Sequence, residues 1–185
     1  MPKHQPRPVS SSGSAVTYAT WNPSDKAPNV TLSNGNLTAV GLSSGDCVRA
    51  TVGKSSGKWY WEVTTAGTIN SFGVGVTTSG TTITIAFTDA ATGYGVIDIG
   101  WKGNNGSYTA GYTSAYSTGD IMGILLDMDA GTIEIRRNGV ANSVMFSGLT
   151  GTFYPAVQGY TNLTANFGAS AFTYSVPSGY NSGLY

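Results

Sequence analysis

From Trp21 onward, short runs of alternating apolar and polar residues end again and again in clusters of Gly, Asn, Asp or Ser. Alternation at a period of two is what a half-buried strand requires, because successive side chains point to opposite faces of the pleat. The pattern is sharpest in GDIMGILLDMDAGTIEIRRNGV, residues 119–140. Ile121 to Leu126 is apolar on both faces, which predicts a strand covered on both sides. Asp129-Ala130-Gly131 predicts a turn with glycine where positive φ is cheap. Thr132 to Arg137 places Ile133 and Ile135 on one face and Glu134 and Arg136 on the other, and Asn138-Gly139 carries a strong hairpin signal.

The same reading predicts a hairpin of Asn29–Leu32 with Asn36–Val40 across Ser33-Asn34-Gly35. Further strands are expected at Val48–Val52, Lys58–Thr64, Phe72–Val76, Thr81–Phe87, Tyr94–Trp101, Ser143–Phe146, Phe153–Gln158, Thr164–Phe167 and Phe172–Ser175. Lys102–Thr118 reads as a long loop rich in Gly, Asn, Ser and Tyr, and no helical periodicity appears. Short strands at near-regular spacing argue for an all-β, two-layer antiparallel β-sandwich. Trp59, Trp61, Phe72, Ile85, Leu125, Ile133, Tyr154 and Phe167 are the expected core.

Composition narrows the functional classes. A chain of 185 residues suits one domain with a sizeable core, and 10% charged residues is low. Nine basic and nine acidic residues cancel, so no field draws the whole chain to nucleic acid or an acidic membrane. Residues 1–18 form a separate zone with three prolines, Lys3, Arg7 and no acid. Such a segment cannot build a core, so an extended N-terminal arm docking through Lys3 and Arg7 is expected to precede a sandwich over residues 19–185. The N-terminus lacks the apolar stretch of a secretory signal, and no run approaches the roughly 20 residues that span a bilayer. The expectation is a protein made in a cytoplasm, with no membrane insertion.

Catalytic chemistry is hard to assemble from these residues. His4 is the single histidine and lies in the arm, leaving a nucleophile in the domain without an imidazole base. Cys47 is the one cysteine, so it has no disulfide partner and reads as a small buried residue. Asp127, Asp129 and Glu134 resemble a calcium loop with the wrong spacing, since Gly131 comes one position early and Asn138 stands where a bidentate Glu belongs. Glu62 and Glu134 read as surface or strand-pair residues, and Asp98, in an apolar run, is the best candidate for a perturbed acid. The expectation is no enzyme, no cofactor and no metal.

Several segments together resemble the SPRY domain: Gly57-Lys58-Trp59-Tyr60-Trp61-Glu62-Val63, then Phe72-Gly73-Val74-Gly75-Val76, then the 119–139 hairpins, then Phe153-Tyr154-Pro155-Ala156-Val157. Asn166-Phe167-Gly168 and Phe172 to Tyr180 resemble the way such domains close. The resemblance covers about Trp21 to Leu184 and implies a jelly-roll-type sandwich that binds protein partners through loops at one end. The opening TWNPSDKAPNVTLSNGNLTAV, residues 20–40, is similar to SPRY proteins encoded by tailed bacteriophages. That narrower likeness implies a virion protein, a capsid decoration or tail component, docked on a capsid or tail protein. Recognition of a host surface protein or glycan, and an intracellular adaptor role, are the alternatives. The loop after the Tyr-Pro strand, Gln158, Tyr160 and Asn162, is one expected contact site. The Lys102–Thr118 loop, with Asn104, Asn105, Tyr108, Tyr112 and Tyr116, is the other, because Tyr gives large contact area at low entropic cost.

Overall fold

Valines in register build the inner wall of one sheet. Val48, Val157, Val74 and Val96 stand side by side across four antiparallel strands. The computed structural model describes residues 16–41, 43–67 and 71–185. In it the first sheet runs β1 (Trp21–Lys26), β4 (Cys47–Ala50), β13 (Tyr154–Gly159), β6 (Phe72–Thr77), β7 (Gly93–Ile97), β8 (Lys102–Asn104) and β9 (Ser107–Thr109). The second runs β12 (Phe146–Ser147), β11 (Thr132–Arg137), β10 (Ile121–Asp127), β5 (Lys58–Ala66), β14 (Asn162–Asn166), β3 (Thr38–Val40) and β2 (Thr31–Ser33). A short β15 (Asn181–Ser182) pairs parallel to β5. Lys3 and Arg7, and with them the expected docking arm, lie outside the described residues.

The two sheets close on one apolar cluster, as a sandwich must. From the second sheet Trp61, Val63, Met122, Ile124, Leu126, Ile133 and Ile135 face the valine row, and Trp21 meets Phe167 edge-on at 5.1 Å. Each fully buried side chain of this size contributes about 1.5–3 kcal/mol through its transfer from water. Trp61, Phe72, Leu125, Ile133 and Phe167 are buried as the alternation predicts, and Trp59 and Tyr154 are half-buried at the strand ends. Ile85 departs from the expectation at 43% exposed.

That departure has a local cause. Residues 81–87 form turns instead of a strand, and lead into a single 3-10 turn, Phe87–Asp89. The segment folds across the outer face of the first sheet, where glycines leave room for it. A Cβ on Gly95 would stand 2.8 Å from the Phe87 ring, and one on Gly93 would stand 1.8 Å from the Phe87 carbonyl oxygen. Phe87 is fully buried there, while Ile83 is half-buried and Ile85 points outward. The alternation of Ile83, Ile85 and Phe87 therefore reflects one anchor among residues on a turning backbone.

The outer face of the second sheet is also covered. Residues 169–180 cross it without forming the expected Phe172–Ser175 strand. Glu62 ties them down: its carboxylate accepts the Thr173 and Tyr174 backbone N–H groups and the Tyr60 hydroxyl, each at 2.9 Å. Glu62 is thus a buried structural residue of a strand paired on both sides, so of the two expected roles, surface or strand pair, the surface one does not hold. Leu125 is buried on this same face, and Phe172 packs on Tyr60 at 5.0 Å. Asn138 and Gly139 do adopt positive φ, but they start an eight-residue connection to β12 and receive the Tyr174 ring. The expected Ser143–Phe146 strand shortens to a pairing of Phe146 and Ser147 with β11.

Two turn carboxylates make stability depend on acid. Asp120 is buried enough to favour its neutral form. Hydrogen bonds from Asn138, the Ser117 N–H and Arg137 outweigh that effect and hold its carboxyl below the ordinary value. For Asp127, burial is likewise outweighed, by Lys58 and the Ala130 and Asp129 N–H groups. A folded pKa below the unfolded one gives stability that is complete above about pH 4 and is lost as the pH falls through the depressed value. Thermal melts between pH 5 and pH 2 are expected to show a falling Tm. Asp120→Asn should flatten part of that slope, and an unchanged slope would contradict the assignment.

Candidate functional site

The register that builds the core also fixes what faces outward. One position away from the valine row, Cys47, Gln158, Gly73 and Ile97 stand in line across β4, β13, β6 and β7. Trp101 extends the line, because the Ile97 N–H donates to its carbonyl oxygen at 2.9 Å. Four interstrand steps give this row a span of about 19 Å. Ile85 lies over its Cys47 end, where the Cys47 Sγ–H donates to the Ile85 carbonyl oxygen at 2.9 Å.

The 3-10 segment covers the neighbouring row and the Cys47 and Gln158 part of this one. Phe87 sits on Gly95, and Thr88 exchanges hydrogen bonds with the Gln158 amide, whose side chain lies across Gly73. Beyond Gln158 the face is open. Ile97 and Gly100 close a tight turn with Asp98 and Ile99 at its tip, and Trp101 follows. Ile99 is 45% exposed and Trp101 39%, and Tyr160, at the turn leaving β13, is also exposed. Ile97, Ile99 and Trp101 thus form an apolar shelf at one end of the row, with Ile85 at its other end and Tyr160 at the turn leaving β13. Isolated exposed apolar residues are ordinary, but a contiguous group marks a contact surface.

The expected site residues divide sharply. Tyr116 is only 5% exposed and packs on Phe72 at 5.8 Å, and Gln158 is buried, so neither offers its side chain to a partner. The Tyr116 backbone N–H donates to the Asp98 carbonyl oxygen. Tyr112 is half-buried; its hydroxyl accepts from the Ile135 N–H at 3.0 Å and donates to the Ser143 carbonyl oxygen at 2.9 Å. Burial pushes its phenol up to about 12. Asn104 donates to the Ala91 and Gly93 carbonyl oxygens, a role within the fold. Asn105, Tyr108, Tyr160 and Asn162 reach the surface.

The expected 102–118 loop is partly a hairpin. Asn105 and Gly106, both at positive φ, turn β8 into β9, and Tyr108 lies back over Gly103. The Tyr108 hydroxyl donates to Asp89 at 2.6 Å and stands 2.9 Å from the Thr88 hydroxyl. Beyond this hairpin an open groove of about 270 Å³ is lined by Lys102, Thr109, Tyr112, Asn142 and Ser143. Its main polar groups are turned to the protein itself: Lys102 donates to the Met145 carbonyl oxygen and Asn142 to that of Tyr112. The shelf residues Ile99 and Trp101 were hidden in the sequence by reading 94–101 as one strand. Gly100, three residues after Ile97, is the turn signal that separates them.

Burial pushes the Cys47 thiol up to about 12, so it is a neutral thiol at physiological pH and not a nucleophile. Asp98 lies in the turn tip and meets no glutamate there. Among the described residues no helix is long and apolar enough to cross a membrane.

Comparison with known proteins agrees with the fold. The sequence profile of the SPRY domain matches residues 58–170. Ran-binding protein 9 of Xenopus laevis is 28% identical over 175 residues, covering 84% of this chain and 31% of the relative; the chain thus spans about a third of that protein's length. The SPRY domain of human HERC1 superposes with a TM-score of 0.67 at 20% identity, covering 78% of this chain and 96% of that one. The TRIM65 PSpry domain superposes with a TM-score of 0.64 at 17% identity, covering 81% and 92%. At these identities the structural matches establish the fold. None of these relatives lends support to the narrower likeness to phage proteins.

Proposed function

Because the chain belongs to the SPRY family, whose domains are protein-interaction modules, we propose that it docks a protein partner on the open end of its first sheet. The observation that carries this reading is the exposure of Ile99 and Trp101 on the turn that begins at Ile97. Aromatic side chains that can be desolvated at the centre of a contact are where binding energy concentrates. Tyr108 extends the aromatic surface, and the glycine-floored sheet beneath holds it rigid, which limits the entropy lost on binding. The module positions its partner and carries out no chemistry on it.

The matches to Ran-binding protein 9 favour an adaptor that works inside a cell as one part of a larger protein. A place in a virion, on a capsid or tail protein, rests on the opening residues 20–40 alone.

The docking reading is tested by selecting a displayed random decapeptide library on the full chain and measuring the affinity of the enriched peptides. Trp101→Ala should weaken them about 30-fold or more, the scale of a hot-spot truncation of about 2 kcal/mol. Val144→Ala, at an exposed valine beside the 102–112 groove, should leave them unchanged. Peptides indifferent to Trp101→Ala would refute the assignment of this face.

A further inference from the structure

The shelf is apolar, yet its charged surroundings are of one sign. Asp98 stands at the tip of the turn that leads into Trp101, next to Ile97 and Ile99. Asp89 is exposed and meets the hydroxyl of Tyr108, whose ring lies over Gly103, two residues along the outer face from Trp101. Neither carboxylate has an ion-pair partner among the described residues. The cations of the sandwich are directed elsewhere. Arg49, also on the outer face, is committed to Asp25 and to the Thr78 and Thr81 carbonyl oxygens. Lys102 follows Trp101 in sequence but lies on the opposite pleat face, with its ammonium on the Met145 carbonyl oxygen and 5.3 Å from the centre of the Phe146 ring.

Resting on the docking face proposed above, we infer that the occupant is an extended segment of a partner protein that carries Arg or Lys between apolar side chains. The basic residue lies against Trp101, where the aromatic face attracts a cation and the two carboxylates reinforce the attraction. Its apolar neighbours cover Ile97, Ile99 and Ile85 along the row. Arg suits this position better than Lys, because its planar guanidinium stacks on an indole while donating to a carboxylate. An acidic segment is excluded from the shelf by Asp89 and Asp98, which gives the site a rejection element as well as an attraction.

The random decapeptide library selected on the full chain supplies the probe, with its leading peptide synthesised in native form and with each Arg or Lys replaced by Gln. The expected result is enrichment of Arg or Lys beside Leu, Ile or Phe, and a loss of about tenfold or more in affinity on replacement by Gln. Asp98→Asn and Asp89→Asn should each weaken the native peptide severalfold and reduce its salt dependence, with little change in Tm, since Asn keeps the shape of the side chain and an acceptor oxygen at both positions. Peptides that lack basic residues but still lose affinity on Trp101→Ala would overturn the basic-segment inference and leave the docking face standing. Peptides indifferent to Trp101→Ala, or no enrichment, would overturn both.

Discussion

Replacing Trp61 with alanine is expected to remove about 3–5 kcal/mol of stability, the range found where a large aromatic is deleted from a core that cannot collapse. Trp61 is fully buried in the middle of the second sheet, flanked through β10 and β14 by strands that are themselves held on both sides. Those neighbours cannot move inward without breaking their ladders, so the space stays open. At about 2–4 °C per kcal/mol for a domain of this size, Tm should drop by roughly 6–20 °C. Val144→Ala, at an exposed position, should change stability by no more than about 0.5 kcal/mol. A Trp61→Ala protein melting within a degree or two of the native chain would mean that the sheets are not packed in this register.

Glu62→Ala should have the second largest effect, for a different reason. The carboxylate is the common acceptor for one buried hydroxyl and two backbone N–H groups. Hydrogen bonds to a charged group contribute about 1.5–3 kcal/mol each and are not additive, so a loss of roughly 3 kcal/mol is expected. The loss has an address: the 169–180 segment should detach from the outer face of the second sheet. Amide exchange at Thr173 and Tyr174 should accelerate, and proteolysis within that segment should begin before global unfolding. Glu62→Gln, which keeps one acceptor oxygen, should retain part of the protection. Undiminished protection of these two amides in Glu62→Ala would show that the segment is held by the Phe172 and Tyr174 rings alone.

Both residues bear on what a sequence of this kind discloses. Trp61 was legible because its alternation with Tyr60 and Glu62 obeys the pleat, and register follows the pattern wherever one face is buried. Glu62 was misread by the same rule. Alternation assigns a residue to the outer face, but it carries no information on whether another segment later covers that face. Ile85 failed in the converse way, since Ile83, Ile85 and Phe87 alternate on a segment that turns instead of extending. The feature that decides its path, a glycine floor at Gly93 and Gly95, lies on a different strand and acts through tertiary contact.

The candidate site was legible only in part. Tyrosines were sought in the glycine-rich loop, and Tyr108 does reach the surface there, yet Tyr112 and Tyr116 serve the packing of their own loop. A hydroxyl on a large ring suits a contact surface and a half-buried clamp equally well, so composition alone does not separate the two. Trp101 was not singled out, because residues 94–101 read as one strand with Trp101 at its end. The turn at Gly100 and the pairing of Trp101 with Ile97 send it outward instead. The SPRY-like motifs mark the scaffold, and the exposed shelf residues lie mostly in the turns between those motifs.

The most direct test of the docking face is an amide-exchange footprint of the full chain with its best selected peptide bound. Slowed exchange concentrated at residues 97–101 and 158–160, with the second sheet unaffected, is the result expected. Slowed exchange at 109–112 and 142–143 instead, or along residues 169–180, would contradict it.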